Sequence, residues 1–186
     1  MTTILLEPTA TAQWHTLVRE AARVCDGDLD EELESYLVFL LMRFAQRPEM
    51  ARSVLALDYL RGLQQPRQRE QLQDVGDQCL LYSGLFPLRA RRRRVALSYY
   101  VDLGRAAYLQ LGENLERSWG QLFERLSEAF VRLRDVLQAT RALNTPEPLD
   151  PLALHELWAE SGSRRAADVL SARTGAALVR GERTRH

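Results

Sequence analysis

The sequence predicts an all-α protein: a single bundle of about six helices followed by a C-terminal helical hairpin. Three observations carry that expectation. Apolar residues recur at three-and-four spacing, no stretch alternates in the two-residue manner of a strand, and prolines and glycines punctuate the chain at helix-length intervals. The chain has 186 residues, 46% of them hydrophobic and 27% charged. That length fits one domain of roughly 100–200 residues, and the composition excludes wholesale disorder. Folding a chain of this size removes roughly 70% of its unfolded surface from water, enough for a core without staples.

The first helix is expected from about Thr11 to Cys25, with Trp14, Leu17, Val18, Ala21 and Cys25 on one face. Asp26-Gly27 breaks it. Asp28 then reads as an N-cap, with Glu31 completing a capping box, and a second helix runs to about Gln46. Its Leu29, Leu33, Tyr36, Leu37, Leu40 and Phe44 make a stripe, and from Tyr36 to Met42 it is apolar on every side. Such a helix is expected in the middle of the molecule.

Pro48 suits the first turn of a third helix and Gly62 its C-cap. Pro66 opens a fourth, with Leu72, Val75, Cys79, Tyr82 and Phe86 as its seam, widened by Leu80, Leu81 and Leu85. Gly84 and Pro87 are expected to end it. Ser98 reads as the cap of a fifth helix, closed by Gly112. The sixth is the clearest: Leu115, Trp119, Leu122, Leu126, Ala129, Leu133, Val136 and Thr140 step by threes and fours from Glu113 to Leu143. One helix of that length would span roughly 45 Å. Glu113–Arg117 and Glu128–Arg132 would be i,i+4 pairs along it.

Residues 1–143 thus form the bundle, 144–151 a proline-rich hinge, 152–175 the hairpin with its turn at Ser161-Gly162-Ser163, and 176–186 a tail. The expected core gathers Trp14, Leu33, Leu37, Leu40, Cys79, Trp119, Leu126 and Leu133. Phe123 and Phe130 widen the face of the sixth helix, which makes a homodimer through that helix an expectation.

All 25 basic residues are arginine, balanced by 25 acids. A net charge of zero gives no long-range field to draw in nucleic acid. Along the chain, however, residues 1–60, 61–112, 113–160 and 161–186 carry net −5, +5, −4 and +4, blocks that self-complement about a twofold axis. No apolar run approaches the ~20 residues of a membrane span, and Met1–Pro8 has no basic start followed by an apolar stretch. Cys25 and Cys79 are isolated and read as buried thiols of a reducing compartment. A bacterial cytoplasm is the expected location.

Chemical motifs are sparse. Asp26, Asp28 and Asp30 begin like a calcium loop, but its sixth and twelfth positions are Glu31 and Leu37 where Gly and Glu are needed. A solvated acidic helix start that suits the dipole explains them better. His15, His155 and His186 have no ligand at metal spacing. No nucleophile elbow, P-loop or dinucleotide fingerprint is present. No cofactor and no metal are expected, and the balance leans away from an enzyme.

Arg89, Arg91, Arg92, Arg93 and Arg94, with Tyr99 and Tyr100 just beyond, form the densest charged feature. Arginines fork onto phosphates and tyrosines stack on bases, so these residues are a candidate interaction patch. The alternatives are a solvated loop facing the protein's own acids, or an acidic protein partner. Arg164-Arg165 at the head of the hairpin's second helix gives a helix-turn-helix outline that any helical hairpin shares. Tyr82, Tyr99, Tyr100 and Tyr108 are the candidate lining of a ligand pocket. Asp102 and Arg105 read as a surface i,i+3 pair.

Gly76-Asp77-Gln78, Gly84-Leu85-Phe86-Pro87 and Tyr99-Tyr100-Val101-Asp102-Leu103-Gly104-Arg105 resemble segments of uncharacterised bacterial helical proteins. The resemblance covers about a fifth of the chain, attaches no activity, and points to this region as the site. An early histidine before a tyrosine-rich helix resembles haem oxygenase, which would make His15 an axial ligand; that family's glycine-rich distal motif is missing. Length and helicity are similar to tetracycline-repressor-like regulators, yet residues 11–46 have neither their glycine turn nor their basic second helix. The function expected is therefore non-catalytic binding of a protein partner or of a second copy. A nucleic-acid-binding regulator and a helical enzyme or ligand carrier are the alternatives.

Overall fold

The computed structural model describes residues 9–25, 29–48, 68–87, 96–144 and 151–175. Among them the chain is all-α, with no strand: α1 (Ala10–Val24), α2 (Glu31–Gln46), α3 (Gln68–Leu85), α4 (Leu97–Glu113), α5 (Arg117–Glu128), α6 (Phe130–Asn144), α7 (Pro151–Ser161) and α8 (Arg164–Thr174). The expected third helix, the Arg89–Arg94 cluster, the interior of the hinge and the tail lie outside the described residues. No described helix is long and apolar enough to cross a membrane.

Local chemistry sets the helix starts. Thr9 Oγ1 accepts the Ala12 N–H at 3.2 Å and begins α1. The cap of α2 is Asp30, which accepts the Leu33 N–H at 3.1 Å, and not Asp28. Glu31, Glu32 and Glu34 then fill the first turn, where the helix dipole favours them. The start of α4 also differs: its cap is Ala96, without a side-chain bond, and Ser98 lies inside the first turn. Burial of Leu97 replaces the missing cap as the anchor. Ser163 Oγ accepts the Ala166 N–H at 3.0 Å to open α8, and Gly162 supplies the positive φ of the hairpin turn.

The long sixth helix is not one rod. Its first residue ends α4, a turn at Asn114–Glu116 follows, and a second break at Ala129 separates α5 from α6. The breaks let one continuous stripe face two sets of neighbours. Helix α5 packs on α4 and α2, while α6 packs on α3 and α1. Phe123, Leu126, Phe130, Leu133 and Val136 are all buried within the chain, so the seam expected to join two copies is covered by the protein's own helices. Glu113 and Arg117 fall on different helices, with the turn at Asn114–Glu116 between them.

Helices α3 and α4 form the central pair, α1 packs on α2, and the α7–α8 hairpin leans on α4 through α7. Most of the expected core is present: Leu33, Leu37, Leu40, Cys79, Leu126 and Leu133 are buried, and Trp14 packs partly buried against them. Trp119 is not part of it and stands 62% exposed. The Tyr36–Met42 segment is likewise not buried on every side, since Phe39 is 61% exposed. Neither cysteine is in a disulfide; Cys79 is buried and Cys25 partly so. The helices end at Leu85 and Glu113, one residue past Gly84 and Gly112, and both glycines also allow close approach. A Cβ on Gly84 would lie 2.7 Å from Leu137 Cβ, and one on Gly112 would lie 3.0 Å from the Gly120 carbonyl oxygen.

Candidate functional site

The most unusual group in the interior is Asp77, a fully buried carboxylate in the middle of α3. A buried carboxylate is costly unless donors surround it. Here Oδ1 accepts from the Tyr36 hydroxyl at 2.6 Å and the Tyr108 hydroxyl at 2.7 Å, and Oδ2 accepts from Arg43 Nη2. Tyr36 and Arg43 lie seven residues apart on one face of α2, so that face delivers both a hydroxyl and a cation to α3. Gln73, one turn before Asp77, donates to the Tyr36 oxygen at 3.4 Å.

Two glycines make room for this arrangement. A Cβ on Gly76 would sit 2.4 Å from the Tyr108 ring, and one on Gly104 would sit 2.4 Å from the Phe130 ring and 2.8 Å from Cys79 Cβ. Without side chains there, α4 lies close enough to α3 for the Tyr108 hydroxyl to reach Asp77. The two tyrosine rings meet edge-on at 6.2 Å, and Phe123 packs on Tyr36 at 6.0 Å and on Tyr108 at 5.8 Å.

Burial pushes the Asp77 carboxyl above its usual range, against the downward pull of Arg43 and the two hydroxyls. Burial and the adjacent Asp77 charge push Tyr36 and Tyr108 well above the ordinary phenol range. Both phenols therefore stay protonated at neutral pH and act as donors. Burial works against the charge of Arg43, but the Asp77 carboxylate outweighs it and pushes the guanidinium upward. Arg43 keeps 37% of its side chain exposed, so its charge also meets water. Protein donors occupy both carboxylate oxygens. In this arrangement Asp77 ties three helices together rather than acting on a substrate.

A second ionic cluster ties α1 to α2. Glu34, nearly buried, bonds His15 Nδ1 at 2.6 Å and accepts from Arg19 Nε at 3.0 Å. Burial raises its carboxyl, but Arg19 and His15 together bring it below the usual value. Arg125 of α5 reaches back to Asp30 at 2.6 Å and to Glu32. Among the described residues no three His, Cys, Asp or Glu side chains converge to hold a metal.

Of the tyrosines expected to share a pocket, the fold brings three together. Tyr82 and Tyr100 stack at 4.9 Å, and Tyr99 meets Tyr100 edge-on at 5.4 Å. Tyr108, two helical turns further along α4, belongs to the Asp77 cluster instead. Only Tyr99 and Tyr100 of the candidate patch are described, and Tyr99 is the exposed one. Arg105 does not lean on Asp102; its Nε donates to the Ser127 carbonyl at 3.1 Å and helps hold α5 on α4.

Asp77 was not singled out as buried by sequence reasoning, although the signal was there. Leu80 and Leu81 stand three and four residues after it, so a seam wide enough to include them includes Asp77. Glu34 is the same case on α2, three and four residues before Leu37 and Val38.

No protein-family model matches the chain, and no curated protein and no solved structure is detectably similar to it.

Proposed function

We propose that this is a cytoplasmic, non-catalytic helical protein that acts by binding a protein partner through the outer side of the α2–α5 pair. The observation that carries the reading is the exposure of Phe39 and Trp119, at 61% and 62%. Large aromatic side chains are the usual anchors of protein interfaces. The two helices run antiparallel: Tyr36 meets Phe123, and Arg125, beyond Phe123, meets Glu32 and Asp30 of the α2 start. One turn further in the opposite sense brings Phe39 and Trp119 to the same level. The interior charges support the reading from the other side, since Asp77 and Glu34 are engaged with the protein's own donors.

Replacing both aromatics by serine, Phe39→Ser with Trp119→Ser, tests the proposal. The double variant should keep the wild-type melting temperature, because neither side chain is buried, and should lose a partner that the wild type retains. A partner retained equally by both would refute this surface.

A second copy of the chain is the second reading of the same surface, favoured by the alternating charge blocks. Sedimentation velocity at micromolar concentration decides it. A single species near 21.3 kDa removes self-association and leaves a different chain as the partner.

A further inference from the structure

Away from the Asp77 cluster, α6 buries a run of polar side chains: Arg134, Asp135, Gln138 and Thr140 all lie in the interior. Thr140 is satisfied within its own helix, its Oγ1 donating to the Val136 carbonyl at 2.9 Å. Arg134 is not. Its Nη2 donates to Asp135 Oδ1 at 2.7 Å, but among the described residues Nε and Nη1 meet no acceptor, and neither does Gln138 Nε2 one turn further on. A buried donor without an acceptor is costly, most of all on a charged group.

The α7–α8 turn lies against this guanidinium. Ser163, fully buried as the cap of α8, donates through Oγ to the same Asp135 Oδ1 at 2.8 Å. Two donors on one oxygen place the guanidinium and the head of α8 side by side. The other neighbours of α6 cannot withdraw without opening the core, because α6 is packed on α1 and α3. The hairpin is different. Its two helices pack chiefly on each other, and α7 rests on α4, with Leu154, Ala166 and Leu170 buried. Helices of eleven residues are marginal on their own. Docking therefore holds the hairpin, and the docked form carries the cost of the unfilled donors.

We infer that the α7–α8 hairpin is a detachable cover over the Arg134–Asp135 pair, with the cost of burying that guanidinium setting how readily the cover lifts. Undocking admits water to Arg134 and relieves that cost, while α1–α6 stay packed. The open form presents a guanidinium whose Nε and Nη1 the closed form leaves unfilled. The inference is independent of the partner surface on α2 and α5.

Native-state hydrogen exchange of the full chain, read amide by amide by NMR, tests it. In wild type the amides of α7 and α8 should exchange through a shared opening, about 100-fold or more faster than the slowest amides of α3 and α4. Arg134→Met combined with Asp135→Asn removes the charge pair and leaves an oxygen for Ser163 to bond. Replacing a buried ion pair in this way relieves its desolvation, so protection of the hairpin amides should rise about tenfold or more. Ser163→Ala removes both the tie and the cap and leaves the apolar core as it is. Protection of the hairpin should then fall about tenfold or more. If the double variant does not fold, wild type and Ser163→Ala decide the matter. The inference is overturned if hairpin and bundle amides share one protection factor, or if Ser163→Ala leaves hairpin exchange unchanged. It is also overturned if the folded double variant gains no protection in the hairpin, since a gain confined to α3 and α4 would mean that Arg134 stays buried when the hairpin opens.

Discussion

Asp77 shows how a single buried charge sets the requirements of its neighbours. Tyr108→Phe removes one of two hydroxyls from Oδ1 with little change in shape. It should cost about 1–3 kcal/mol in urea melts, the range for a buried group losing a charge-assisted hydrogen bond. An unchanged midpoint and slope would show that the Tyr108 hydroxyl is not needed. The pH dependence follows from the direction of each shift. The folded-state value of Asp77 lies above its ordinary one, so the folded protein binds this proton more tightly than the unfolded chain. The Asp77 contribution therefore declines as pH rises from its unfolded value through its folded one. Glu34 has the opposite sign: its contribution is present above its unfolded value and is lost as pH falls through its lowered folded value. In Asp77→Asn only the first dependence disappears. The stability of wild type relative to this variant should fall as pH rises above the ordinary aspartate range, and a difference that stays flat would contradict the assignment.

At the scale of elements, close approach decides which helices can pair. Gly76 and Gly104 sit inside helices, where alanine would ordinarily gain about 0.5–1 kcal/mol. Here a Cβ would overlap the rings of Tyr108 and Phe130, so Gly76→Ala and Gly104→Ala should each instead cost about 1–3 kcal/mol. Stabilisation by either change, read from denaturant midpoints, would show that α3 and α4 can separate without loss. Leu126, fully buried on α5, should cost about 2–5 kcal/mol when cut to alanine.

The same elements show what the sequence could and could not convey. The stripe from Leu122 to Val136 is legible because three-and-four spacing reports a face directly. The interruption at Ala129 is not, because no glycine or proline marks it. Trp119 continues the stripe and yet is exposed: periodicity identifies a face but not where its covering partner ends. Phe39 fails for a related reason, as an all-apolar segment does not tell which residue its neighbours leave open. Of the candidate site residues, Tyr82, Tyr99 and Tyr100 come together as local aromatic neighbours. Tyr108 leaves them because its hydroxyl is drawn to a carboxylate thirty-one residues earlier in the chain, and single-segment patterns do not report such distant pairings.

For the whole molecule, the two ionic clusters and the glycine contacts serve the assembly of the bundle, while Phe39 and Trp119 stand exposed and are the proposed anchors for a partner. Those roles separate experimentally. The most direct measurement is affinity capture from the native cells with three forms of the protein side by side: wild type, Tyr108→Phe, and the Phe39→Ser, Trp119→Ser pair. The account predicts a stoichiometric protein partner on wild type and on the still-folded Tyr108→Phe, despite its lowered stability. It predicts loss of that partner from the double variant, whose melting temperature is unchanged. Retention by the double variant, or loss from folded Tyr108→Phe alone, would contradict the account and move the functional surface to the interior cluster or elsewhere.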